Sequence, residues 1–218
     1  MSRTVFHVSQ TEESRDFAPP PGYEAWGVLQ SGTFDNITVL ARVYRDVGAH
    51  GPGPEFLLAC PSGTGQVICT VSRPLAGDGQ RKEKEYAVHG SDGGFVGCVA
   101  HGRSPCGVRQ AWRIRPQAGG PVAVGYKGAL RGWVTFWGTI PLLPVLTVVG
   151  LLHDGGGPST WMWGMPKRIA WRGRSAVLGG RRVLRFTTYN SVYDWDSKRL
   201  GKELAYAQAI LYWASGVM

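Results

Sequence analysis

Most local signatures that mark enzymes and metal proteins are missing from this 218-residue chain. It has no G-x-S-x-G elbow, no Walker loop and no H-E-x-x-H pair, so the common hydrolase, nucleotide-binding and zinc-protease plans find no footing. The four cysteines, Cys60, Cys69, Cys98 and Cys106, form no C-x-x-C pair and stand at no zinc-type spacing from a histidine. Cys69 and Cys98 lie in apolar runs, where free cysteine behaves as a small hydrophobe, so both are expected in the core. The N-terminal stretch "MSRTVFHVSQTEESRDFAPPPG" carries acids and no apolar centre, unlike a secretory signal. On that reading the thiols are reduced, the protein is cytoplasmic and the Asn36-Ile37-Thr38 sequon carries no sugar.

Histidines are few and scattered: His7, His50, His89, His101 and His153. His153 adjoins Asp154, with Ser159 and Thr160 close behind, yet triads are defined by geometry and not by adjacency. This stretch reads as a strand end entering a loop. No enzyme chemistry, cofactor or metal is expected.

Acidic residues are scarce in the second half. Residues 1–100 hold 8 Lys+Arg against 11 Asp+Glu, a net of −3, whereas residues 101–218 hold 16 against 4, a net of +12. Such asymmetry speaks of a polyanionic partner, not of fold.

Long helical periodicity is also missing before the C-terminus. In its place stand 32 glycines and 14 prolines, punctuating short runs rich in Val, Thr, Trp and Tyr, the pattern of an all-β domain built from hairpins. "EAWGVLQSG", "NITVLARVYRD", "EFLLACPSGTGQVICTVSRP" and "EYAVHGSDGGFVGCVAHG" read as strands and hairpins, with "GDGQRKEKE" (77–85) a charged connection. Phe56–Arg73 and Tyr86–Arg103 resemble each other, each with an aromatic start, a glycine turn and a Cys before Val. That repeat would make Cys69 equivalent to Cys98 and Gly65 equivalent to Gly93 or Gly94. Gly179-Gly180 reads as a tight turn. Residues 1–22 read as an N-terminal polar, Pro-rich arm ending in "APPPG", and 23–218 as a single domain.

Gly132 to Leu152 carries no charge and is long enough for a membrane span. Pro141 and Pro144 at its centre, each costing a helix interior about 3 kcal/mol, favour two buried strands over a helix. A membrane-spanning reading of 132–152 stays open, because lipid tolerates proline better than water does. Only "LGKELAYAQAILYWASGVM" at the end is clearly helical, over about 197–214, with Asp196 or Ser197 as cap. It is apolar on nearly every side, as a helix is when fully enclosed.

Serial hairpins, one of them "YAVHGSDGGFVG", leading to a single apolar C-terminal helix with "DSKRLGKELAYAQAILYW" resemble the tubby-like C-terminal superfamily. That group includes the tubby proteins, the phospholipid scramblases and the plant LURP-one-related proteins. The resemblance implies an antiparallel β-barrel of about a dozen strands closed around a hydrophobic C-terminal α-helix. No tubby phosphoinositide-binding residue falls on a matching motif here, and the scramblases' cysteine-rich stretch is absent. The segment preceding the helix is no calcium loop. Asp194 and Asp196 suit its first positions, but Lys198, Leu200 and Ala205 occupy places that need oxygen ligands.

The strongest functional signal is basic. Lys167, Arg168, Arg172, Arg174, Arg181, Arg182 and Arg185 lie on short strands and a turn, with Trp163 and Trp171 close by. Cations beside amphipathic aromatics suit an anionic phospholipid surface, where each Lys or Arg contributes about 1 kcal/mol and Trp prefers the headgroup zone. The expectation is non-enzymatic, peripheral membrane binding at the inner face of the membrane. Single-stranded nucleic acid, with aromatics stacking on bases, and a protein-interaction scaffold are the alternatives. Arginines on a solvated barrel wall would give the same pattern with no ligand at all.

Overall fold

The computed structural model describes residues 3–9, 19–33, 36–48, 55–61, 65–72, 83–103, 110–117, 122–126, 168–173, 182–187 and 192–215. Twelve strands among these close into an antiparallel barrel around one helix. In chain order they are β1 (Arg3–Ser9), β2 (Tyr23–Thr33), β3 (Asn36–Asp46), β4 (Phe56–Ala59), β5 (Val67–Val71) and β6 (Glu83–Gly90). There follow β7 (Phe95–Arg103), β8 (Gln110–Pro116), β9 (Ala123–Tyr126), β10 (Arg168–Gly173), β11 (Arg182–Thr187) and β12 (Val192–Asp196). Each strand pairs with its sequence neighbours, and β1 closes the ring by pairing with β12.

Strand number dictates what fills the interior. Eight strands are filled by their own side chains, and sixteen or more leave a channel. Twelve strands about 4.8 Å apart and tilted as barrel strands are give a ring roughly 23 Å across. Inward side chains narrow that ring to the 10–12 Å or so that one helix occupies. The occupant is α1 (Lys202–Ala214), where every residue from Leu204 to Tyr212 is buried. Its all-round apolar surface is thus matched to an all-round wall.

The helix is held by polar links as well as by packing. Trp195 Nε1 donates to the Leu200 carbonyl at 2.7 Å, and the Tyr193 hydroxyl donates to the Ala209 carbonyl at 3.3 Å. Phe6 stacks on Tyr193 at 5.2 Å and meets Tyr206 edge-on at 5.2 Å. Near the helix C-terminus Trp213 meets Trp26 edge-on at 4.5 Å, and Trp26 packs on Phe56. The β2–β3 register shifts between Ala25 and Gly27, and such a bulge re-aims the side chain it carries, here Trp26.

Four expectations need correction. Arg3–Ser9, expected within the polar arm of residues 1–22, is a barrel strand, because Phe6 and Val8 alternate with His7 and give it a buried face. The helix begins at Lys202 and not near 197. The Asp196 carboxylate accepts the Lys198 N–H at 3.2 Å in a turn, and Gly201 is the N-cap without a side-chain cap bond. Glu83 and Glu85, expected in a connection, open β6. They pair with Arg113 and Arg115 of β8 across the small residues of β7, so the long side chains roof over Ala100.

The fourth correction concerns the repeat, which holds for its turns but not for its cysteines. Gly65 and Gly93 both take the left-handed φ that glycine permits, 68° and 75°. Cys69 is fully buried against α1, with its thiol pushed up to about 12 by burial first and the Glu203 charge second. Cys98 instead faces out and donates to Glu85 Oε1 at 2.9 Å. Cys69 pairs with Leu58, which points in, whereas Cys98 pairs with Ala87, the neighbour of inward Val88, and so lies on the opposite face of its strand. Residues 132–152, Cys106, His50, His153, Asp154 and Gly179-Gly180 lie outside the described residues.

Candidate functional site on the outer face of β9 to β12 and β1

Strands β10, β11 and β12 gather part of the basic cluster on the outer wall. The inner positions are Ile169, Trp171, Leu184, Phe186, Tyr193 and Trp195, all buried. Alternation then sends Arg172, Arg185 and Asp194 outward. Arg185 is the register partner of Ala170 on one side and of Asp194 on the other, and Asp194 is the partner of Val5 on β1. One line across four strands therefore reads Ala170, Arg185, Asp194, Val5. Val5 is 48% exposed, and Tyr126 at the end of β9 is 41% exposed.

Arg172 and Arg182 are direct partners across β10 and β11, at a bulge. Like charges directly opposite each other repel. Asp194 offsets this in part, with its Oδ2 3.7 Å from Arg182 Nη2. Among the described residues Arg172 and Arg185 have no ion-pair partner, and Arg172 is exposed. Asp196 is engaged by Arg199 at 3.1 Å. Among the described residues this surface therefore offers Arg172 and Arg185 without an ion-pair partner, and Arg182 at 3.7 Å from the Asp194 carboxylate.

The sequence cluster divides three ways. Arg172, Arg182 and Arg185 share this wall, and Arg168 lies on β10 opposite Thr187. Lys167, Arg174, Arg181 and Trp163 lie outside the described residues. Trp171 is a correction: expected at a membrane interface, it is fully buried and packs edge-on to Tyr212 of α1 at 6.4 Å. It is an inner residue because it pairs with Leu184, whose side chain also points in.

Sequence reasoning missed Val5 and Tyr126. The alternation of "TVFHV", apolar on both faces, carried a signal for Val5. Tyr126 needed the length and register of β9.

No family model, curated protein or solved structure matches the chain.

Proposed function

We propose that this protein binds anionic phospholipid surfaces peripherally and without catalysis, docking through the outer wall formed by β9, β10, β11, β12 and β1. The observation that carries this reading is Arg185 set in a wall between exposed Tyr126 and exposed Val5, with Arg172 beside it and neither arginine ion-paired among the described residues. Unpaired cations draw the wall to anionic headgroups at about 1 kcal/mol each, and a tyrosine and a valine at its margins suit the interfacial zone. The barrel enclosing its C-terminal helix supports a place in the tubby-like group, and the resemblance to lipid-associated members of that group supports the ligand class.

Flotation of the full chain with phosphatidylserine-containing vesicles and with neutral phosphatidylcholine vesicles tests the proposal. Binding to the anionic vesicles at low salt, lost at high salt, is expected, because exposed charges are screened within about 10 Å at 0.1 M salt. Failure to float at low salt overturns the proposal, and retardation of a single-stranded oligonucleotide under the same conditions would replace it with a nucleic-acid function.

A further inference from the structure

A second group of polar atoms lies inside the barrel, away from the basic wall. Among the described residues, five buried side-chain polar atoms have no hydrogen-bond partner: both amide atoms of Gln208, Nε1 of Trp112, Nε1 of Trp171 and Nε2 of His101. Gln208 is fully buried in the middle of α1.

These atoms belong to one sector of the interior. Trp112 and Trp171 are both register partners of Gly125, on either side of β9. Both indoles meet Tyr212 edge-on, at 5.8 and 6.4 Å, and His101 stacks on Trp112 at 4.1 Å. Gln208 stands one turn before Tyr212 on the same helix face, since residues four apart are surface neighbours.

Native interiors rarely leave such atoms unmatched, and each exception calls for a bound group or a role. Here the groups define what could match them. An indole N–H can only donate, and the Gln208 amide has two hydrogens to donate and one oxygen that accepts. The set is rich in donors and wants acceptors. Among the described residues no Asp, Glu, Lys or Arg side chain is buried, so no buried charge stands ready to compensate an ion.

We propose that the sector bounded by Gln208, Trp112, Trp171 and His101 is an interior binding site for a small uncharged guest that presents oxygen acceptors. That chemistry is shared by ordered water and by a carbonyl- or hydroxyl-bearing organic molecule. A site of this kind is independent of the basic wall and of the lipid-binding proposal.

Two measurements test the site on the full chain. The first is a high-resolution crystal structure of the purified protein, together with mass analysis of small molecules released when that protein is denatured in solvent. A stoichiometric organic compound, with matching density beside Gln208, identifies an organic guest. Ordered oxygens within about 3.2 Å of the Gln208 amide and at least one of the two indole nitrogens, without a released compound, identify water. Side chains packed against one another with neither kind of density overturn the proposal. The second is the melting temperature of Gln208→Met. The variant is expected to melt lower, because it removes the guest's contacts; a higher melting temperature would mean that the amide had no partner and would also overturn the proposal. The crystal structure needs no variant, so a Gln208→Met chain that fails to fold leaves the test intact.

Discussion

The Tyr193 hydroxyl on β12 donates to the Ala209 carbonyl in the middle of α1, 3.3 Å away. This bond joins the wall to its contents between two buried residues. Its phenol is held far above the ordinary 10.0, by burial first and by nearby Tyr212 second. Tyr193→Phe keeps the ring that stacks on Phe6 and removes only the bond. A loss of about 1 kcal/mol is expected, read from denaturant unfolding as a lower midpoint at unchanged slope.

The same burial sets the alkaline limit of the fold. Cys69 is raised from 9.0 to about 12, and Tyr86 and Tyr212 are raised from 10.0 to about 12, in each case by burial as the leading cause. The folded chain therefore keeps protons that the unfolded chain has released. Stability is complete below pH 9 and falls as pH rises through 12, because there the unfolded state binds fewer protons. Melting temperatures measured from pH 8 to 11 should decline from about pH 9, and Cys69→Ala should make that decline shallower without moving its onset, because burial also raises Cys98 from 9.0 to about 11.

Gly125 on β9 lies directly against the Trp171 indole. A Cβ at this position would lie 2.8 Å from three atoms of the Trp171 ring. Gly125→Ala should cost about 1–3 kcal/mol, the range for overpacking a filled interior. Gly125→Ala combined with Trp171→Leu should cost less than the two single changes added together. Simple additivity in thermal unfolding would show that the clash is not what makes glycine necessary.

The docking wall predicts a graded loss of vesicle binding. Arg172→Ala and Arg185→Ala should each weaken partition onto anionic vesicles about fivefold, equivalent to about 1 kcal/mol per cation. The double variant should lose roughly 25-fold, while melting no lower than the parent, since neither arginine has an ion-pair partner among the described residues and Arg172 faces Arg182. Lys84→Ala, on the distant strand β6, serves as the control and should leave binding unchanged.

How far the sequence could be read depended on whether the information was local. Hairpins at "EYAVHGSDGGFVG" and "FLLACPSGTGQVICTV" were legible from their turn glycines and β-rich arms, and both form as adjacent strand pairs. The basic cluster was visible as composition. Its division into outward Arg172, Arg182 and Arg185 and inward Trp171 was not, because direction along a strand depends on register, and the bulge opposite Arg172 shifts it. Strand β1 was hidden among acids and prolines, since its partner β12 lies nearly the whole chain away.

By itself the sequence determined that this protein would be mostly β and would end in a helix needing burial on every side. Both facts follow from local backbone preference and from the hydrophobic effect acting on adjacent residues. Only the tertiary structure decided that residues 3–9 complete the ring, that Cys98 faces Glu85 while Cys69 faces the helix, and that Gln208 lies in the interior without a hydrogen-bond partner among the described residues. Those outcomes depend on pairing between residues far apart in the chain. A single residue of slip in such pairing exchanges the inside of a barrel for its outside.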